Sequence, residues 1–88
     1  MTEKVVKIID PSGIHARPAT VLVGAASGYD EDLKLEYNDN QVNLKSVMGV
    51  MSLAIPHGAE VKIIAEGDNE AEVVEAIYEA MKKEGLAE

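Results

Sequence analysis

Apolar residues change their spacing from one stretch of the chain to the next, and each change marks a new element. Val5, Val6, Ile8 and Ile9 form a β-branched run that Asp10-Pro11-Ser12-Gly13 ends, which predicts a strand followed by a turn. From Ala16 to Ser27 the spacing becomes helical, with Ala19, Leu22, Val23 and Ala26 on one face and Gly28 placed for a C-cap. Gly24 inside this helix costs about 1 kcal/mol relative to alanine, so the helix depends on its packed face. Leu33, Leu35 and Tyr37 then alternate with Asp32, Lys34 and Glu36, and Val42 and Leu44 with Gln41 and Asn43. Asn38-Asp39-Asn40 joins these two strands as a hairpin turn of residues tolerant of left-handed geometry. The segment from Val47 to Leu53 reads as a short apolar helix, and Ala59, Val61, Ile63 and Ala65 alternate with Glu60, Lys62 and Glu66 in a last strand. A final helix has Asp68 or Asn69 as cap, Glu70 and Glu72 in its first turn, Val73, Val74, Ile77 and Met81 inward, and Lys82, Lys83 and Gly85 at its end. Strands polar on one face belong to a sheet covered on one side only. The prediction is an α+β open-faced β-sandwich, a four-stranded antiparallel sheet with three helices on one face, in the order βαββαβα.

Composition narrows the class without naming a function. With 88 residues the chain is expected to form one domain over 1-88, near the size at which a single core gives only a few kcal/mol of net stability. No charged and apolar leader and no run of membrane-spanning length is visible, so the expectation is a cytoplasmic protein without membrane insertion. The absence of cysteine excludes disulfides and thiolate metal sites and is compatible with a cytoplasm. A net charge of −8 argues against direct nucleic-acid binding, which needs clustered positive charge.

The candidate chemistry lies in Gly13-Ile14-His15-Ala16-Arg17-Pro18-Ala19-Thr20, where loop becomes helix. Amides of a first helical turn lack intrahelical partners and that end of the helix dipole is positive, so an anion is stabilised there. Pro18 has no amide to lose and fixes a helix-compatible φ, although a residue before proline avoids the α region and Arg17 is therefore expected at an irregular boundary. Neutral imidazole is a nucleophile near pH 7, and once His15 carried phosphate the Ala16 and Arg17 amides and the Arg17 guanidinium would hold the new charge. A plainer reading makes His15 an imperfect N-cap and Arg17 a solvated charge. No Ser, Cys or Asp is expected beside His15 as partner in a nucleophile and base pair. Ser46 precedes the short apolar helix and is a plausible N-cap, a role that needs no further function. Met48 and Met51 stand a helical turn apart in a segment too short to bury all its apolar residues, so some of Val47, Met48 and Met51 are expected in an exposed patch near His15. His57 reads as a solvated loop residue with no ligand cluster for a metal.

The motif around His15, followed by Val42-Asn43-Leu44-Lys45-Ser46-Val47-Met48-Gly49-Val50-Met51-Ser52-Leu53, resembles HPr, the histidine-containing phosphocarrier family of the bacterial sugar phosphotransferase system. The likeness runs over essentially the whole chain and favours the form of low-GC Gram-positive bacteria. It implies phosphorylation of His15 at Nδ1 by enzyme I, itself charged from phosphoenolpyruvate, and onward transfer to IIA domains of sugar permeases. It also implies regulatory phosphorylation of Ser46 by HPr kinase/phosphorylase, binding of a catabolite-control transcription regulator, and a partner-docking surface of Thr20, Val47, Met48 and Met51. A monomeric carrier rather than an enzyme is implied, with no metal or organic cofactor of its own. Two other classes stay open: a regulatory paralogue that uses only the serine, and a stand-alone enzyme with His15 as nucleophile. Relatives commonly have glutamine or lysine at Gly24, lysine at Gly28 and glycine at Ala54, so Arg17 and Lys45 are the cations expected near His15, and Ala54 is strained if its site needs positive φ.

Overall fold

The computed structural model describes residues 1–88 and contains β1 (Thr2–Lys7), α1 (Ala16–Ser27), β2 (Asp32–Tyr37), β3 (Asn40–Asn43), α2 (Val47–Ser52), β4 (Glu60–Glu66) and α3 (Glu70–Lys83). The four strands form one antiparallel sheet in the order β1-β4-β2-β3, with the helices on one face, as the alternation predicts. Val6 and Ile8 point inward from the first strand, while Val5 and Ile9 are exposed; a run of four β-branched residues cannot itself say which two are buried. From β2 come Leu33 and Leu35, and from β4 Val61, Ile63 and Ala65. They meet Ala19, Leu22, Val23 and Ala26 of α1, Val50 of α2, and Val73, Val74, Ile77 and Met81 of α3. Leu35, Leu44, Ile63, Ile77 and Met81 lose essentially all contact with water, each worth about 1.5–3 kcal/mol of transfer free energy.

The open face carries Lys62 between Glu3 at 3.5 Å and Glu36 at 3.8 Å. Ile64 also lies on that face yet is buried, flanked in register by Glu3 and Lys34, whose aliphatic stem can cover it. The β2–β3 turn contains two residues rather than three: Asn38 and Asp39 have positive φ (54° and 66°), and Asn40 already pairs with Tyr37.

Helix ends show where local rules hold. Gly85 (φ 72°) closes α3, its amide bonding to Lys82 O and that of Leu86 to Met81 O, the paired bonds of a Schellman stop. Gly28 is the C-cap of α1, but in right-handed geometry (φ −77°) rather than the left-handed one that glycine favours. Ala54 does adopt positive φ (50°) just after α2. A left-handed alanine is strained by roughly 1–2 kcal/mol.

Two sets of backbone bonds gather distant segments around the start of α1. Ile8 bridges Ala87, and the Ile9 amide donates to Leu86 O at 2.7 Å, which seats the end of the chain beside the loop after β1. The Ile14 amide donates to Ile55 O at 3.0 Å, which ties that loop to the segment after α2.

Candidate functional site

Gly13 makes the approach to the helix possible. Its φ is +68°, and a Cβ there would collide with the Ile55 carbonyl oxygen and stand 2.9 Å from Pro56 Cα, so only glycine fits without movement. Two residues on, His15 is the N-cap of α1, with extended backbone and a carbonyl that accepts the Ala19 amide at 2.9 Å. Its imidazole makes no capping bond and is exposed.

Arg17 lies inside the first turn of α1 rather than at an irregular boundary. The α region is disfavoured before proline, not forbidden, and Pro18 so near the helix start has no helical carbonyl four residues upstream to meet. Neither the Ala16 nor the Arg17 amide donates to an acceptor in the chain, and α1 has no acidic residue in its first turn. Arg17 joins none of the five ion pairs of the protein. The Thr20 hydroxyl donates back to Ala16 O at 2.9 Å, and its side chain is exposed.

A pocket of about 290 Å³ is lined by His15, Arg17, Pro18, Asp10, Val21 and Glu84. The last three were not expected from the sequence. Val21 had a local signal: it is apolar and 39% exposed, and it falls outside the buried face of Ala19, Leu22, Val23 and Ala26. Asp10 overturns the expectation that no aspartate stands near the histidine, and Glu84 arrives only through the pairing of the chain end with the first strand.

Ser46 is the N-cap of α2 as predicted, its Oγ accepting the Gly49 amide at 3.1 Å. It does not join the pocket. The far end of α2 leads to Ile55, whose carbonyl holds the loop before His15, so Ser46 stands at the opposite end of α2 from that loop. Met48 (80% exposed) and Met51 (41%) supply apolar surface along this helix, whereas Val47 is half-buried against the core. Lys45 is not a cation of the pocket, because its Nζ donates to Tyr29 O at 2.7 Å, beyond the C-terminal end of α1. His57 is exposed in its turn, as expected.

Residues 2–83 match the family model described as the PTS HPr component phosphorylation site. The fold is similar to a histidine-containing phosphocarrier protein of Mycoplasma, with a TM-score of 0.95, 37% identity and 99% of each chain covered. It is also similar to HPr of Thermoanaerobacter tengcongensis, with a TM-score of 0.90, 38% identity, and 97% of this chain and 96% of the other covered. The Bacillus subtilis catabolite repression protein Crh, described as a swapped dimer, aligns with a TM-score of 0.74 and 38% identity over 98% of this chain and 99% of its own.

Proposed function

Since the chain belongs to the HPr family of phosphotransferase-system phosphocarriers, we propose that His15 is the residue that takes up and passes on the phosphoryl group. The observation that carries this reading is the start of α1: an exposed imidazole followed by two amides without acceptors and an arginine in no ion pair, all at one pocket. Enzyme I, phosphorylated from phosphoenolpyruvate, is the donor. His15 Nδ1 attacks phosphorus as the donor's P–N bond breaks, and the phosphoryl oxygens come to rest on the Ala16 and Arg17 amides and the Arg17 guanidinium. The reverse set of bond changes delivers the group to a histidine of a IIA domain. The chain supplies the nucleophile and the anion site; no step requires a metal or organic cofactor of its own.

Docking uses Thr20, Met48 and Met51, with Val47 beneath them contributing mainly through packing. Ser46 receives phosphate from the ATP-dependent HPr kinase/phosphorylase, and that form binds a catabolite-control transcription regulator. The relationship to a catabolite repression protein supports this second role. A phosphate at the start of α2 meets a positive helix end, so the fold tolerates it while the charge of the docking surface changes. The carrier acts in the cytoplasm as a monomer, a state that sedimentation can check because dimers are described among its relatives.

Incubation with enzyme I and phosphoenolpyruvate, followed by intact mass measurement and peptide mapping, tests the central reading. One added phosphate on His15, labile in acid and stable in alkali, is expected. Label on His57, or full acceptance by His15→Ala, would overturn it.

A further inference from the structure

Resting on the reading that His15 carries phosphate, we propose that Asp10 and Glu84 set the transfer potential of the phosphoryl group, keeping it loosely enough held to be passed on. The two carboxylates belong to the same pocket as His15 and Arg17 but come from opposite parts of the chain, one from the loop after β1 and the other from the C-cap of α3. The backbone that carries each of them is held in place. A carboxylate oxygen of Asp10 accepts the Ser12 amide at 2.8 Å, and its carbonyl accepts the Gly13 amide at 2.9 Å. Glu84 donates its amide to Ala80 O at 3.1 Å, and the Leu86 carbonyl just beyond it receives the Ile9 amide at 2.7 Å.

Neither carboxylate is neutralised by an ion pair. A pocket of this volume is about 8 Å across, within the ~10 Å over which charges act in 0.1 M salt, so each carboxylate acts on any anion bound there. Against these two negative charges stand the positive helix end and the single cation Arg17. A site built only to retain phosphate would surround it with donors and cations. Here the amides and Arg17 draw the phosphoryl group in, and Asp10 and Glu84 raise the free energy of the loaded state. A phosphoryl group that brings roughly two negative charges feels both.

Full-length Asp10→Asn, Glu84→Gln and the double variant test this. Asparagine keeps an acceptor for the Ser12 amide, so the loop is retained while the charge is lost, and urea midpoints check the fold. Each chain is brought to equilibrium with enzyme I and its phosphoenolpyruvate-derived phosphate, and the ratio of phosphorylated to free chain is read by intact mass. That ratio should rise about threefold for each single variant and about tenfold for the double at low salt, and return toward the parent near 0.5 M salt. The phosphorus NMR titration of the phosphoryl group should move to lower pH in the same order. Phosphate on His15 with a ratio and titration blind to both carboxylates overturns this proposal alone; no phosphate on His15 of the parent overturns the carrier reading with it.

Discussion

The two long helices of this protein meet their own positive ends in opposite ways: neither N-cap side chain bonds a first-turn amide, but α3 has Glu70 and Glu72 in its first turn and α1 has no acid there. At α3 the chain supplies its own anions. The Glu70 carboxylate accepts the Gly67 amide at 3.1 Å and the Thr2 hydroxyl at 3.0 Å and pairs with the terminal ammonium at 2.8 Å, while Glu31 accepts the Asn69 amide at 3.2 Å. The hydrogen bond from the ammonium, then those from Gly67 and Thr2, hold the Glu70 carboxyl below the usual glutamate range. At α1 no acid occupies the first turn and His15 makes no capping bond. The positive helix end is met by the chain's own carboxylates at α3 and by no first-turn acid at α1, and α1 is the helix that begins at His15, the proposed nucleophile.

The comparison can be broken most severely at Gly13, which only the α1 start requires. Gly13→Ala combines positive φ with a backbone collision, and a loss of about 3 kcal/mol is expected from urea unfolding. A loss under about 1 kcal/mol would show that the loop shifts cheaply. Arg17→Ala acts on the site alone: transfer from enzyme I should slow at least tenfold, about 1.4 kcal/mol of barrier, with the urea midpoint unmoved. An unchanged rate would return Arg17 to a solvated charge. Ala16→Asp makes α1 resemble α3, and should stabilise the fold by about 0.3–1 kcal/mol while slowing phosphate uptake several-fold. A slower but destabilised variant would mean that the carboxylate does not reach the helix end.

Glu70→Gln is the smallest change, because the pair it removes is exposed to solvent. Since the folded-state value of Glu70 is lowered, its contribution is present above the ordinary glutamate value of 4.5 and is lost as pH falls through the depressed one. The parent should therefore lose stability more steeply than Glu70→Gln below pH 4.5, as read from acid titration of the urea midpoint. Parallel curves would show that Glu70 contributes nothing through its charge.

What the sequence makes legible follows the range of the interactions. Leu33 and Leu35, Val61 and Ile63, and the Val73, Val74, Ile77, Met81 face of α3 reveal themselves by spacing, because strand and helix periods are local. Asn38 and Asp39 announce the turn, but the membership of Asn40 in β3 depends on its pairing with Tyr37. The strand order and the burial of Ile64 depend on neighbours far away in sequence. The same division runs through the site. His15, Ala16, Arg17 and Pro18 are consecutive, and the chemistry of a helix start can be read from them. Asp10 and Glu84 share a pocket only because Ile8 and Ile9 bind Ala87 and Leu86, a contact that no periodicity records.

The tether of Lys45 to the Tyr29 carbonyl has a kinetic consequence. With that ammonium fixed beyond the far end of α1, about 18 Å along the helix from His15, Arg17 is the only lysine or arginine at the pocket of a chain with net charge −8. On the proposed carrier role, no positive rim guides a partner in from a distance. In the docking proposed above, encounter is a search without attractive steering, at rates no higher than the unsteered range of about 10⁵–10⁶ M⁻¹s⁻¹, and apolar contact with Met48 and Met51 selects productive collisions. Phosphate flux through the proposed carrier then scales with the abundance of the chain.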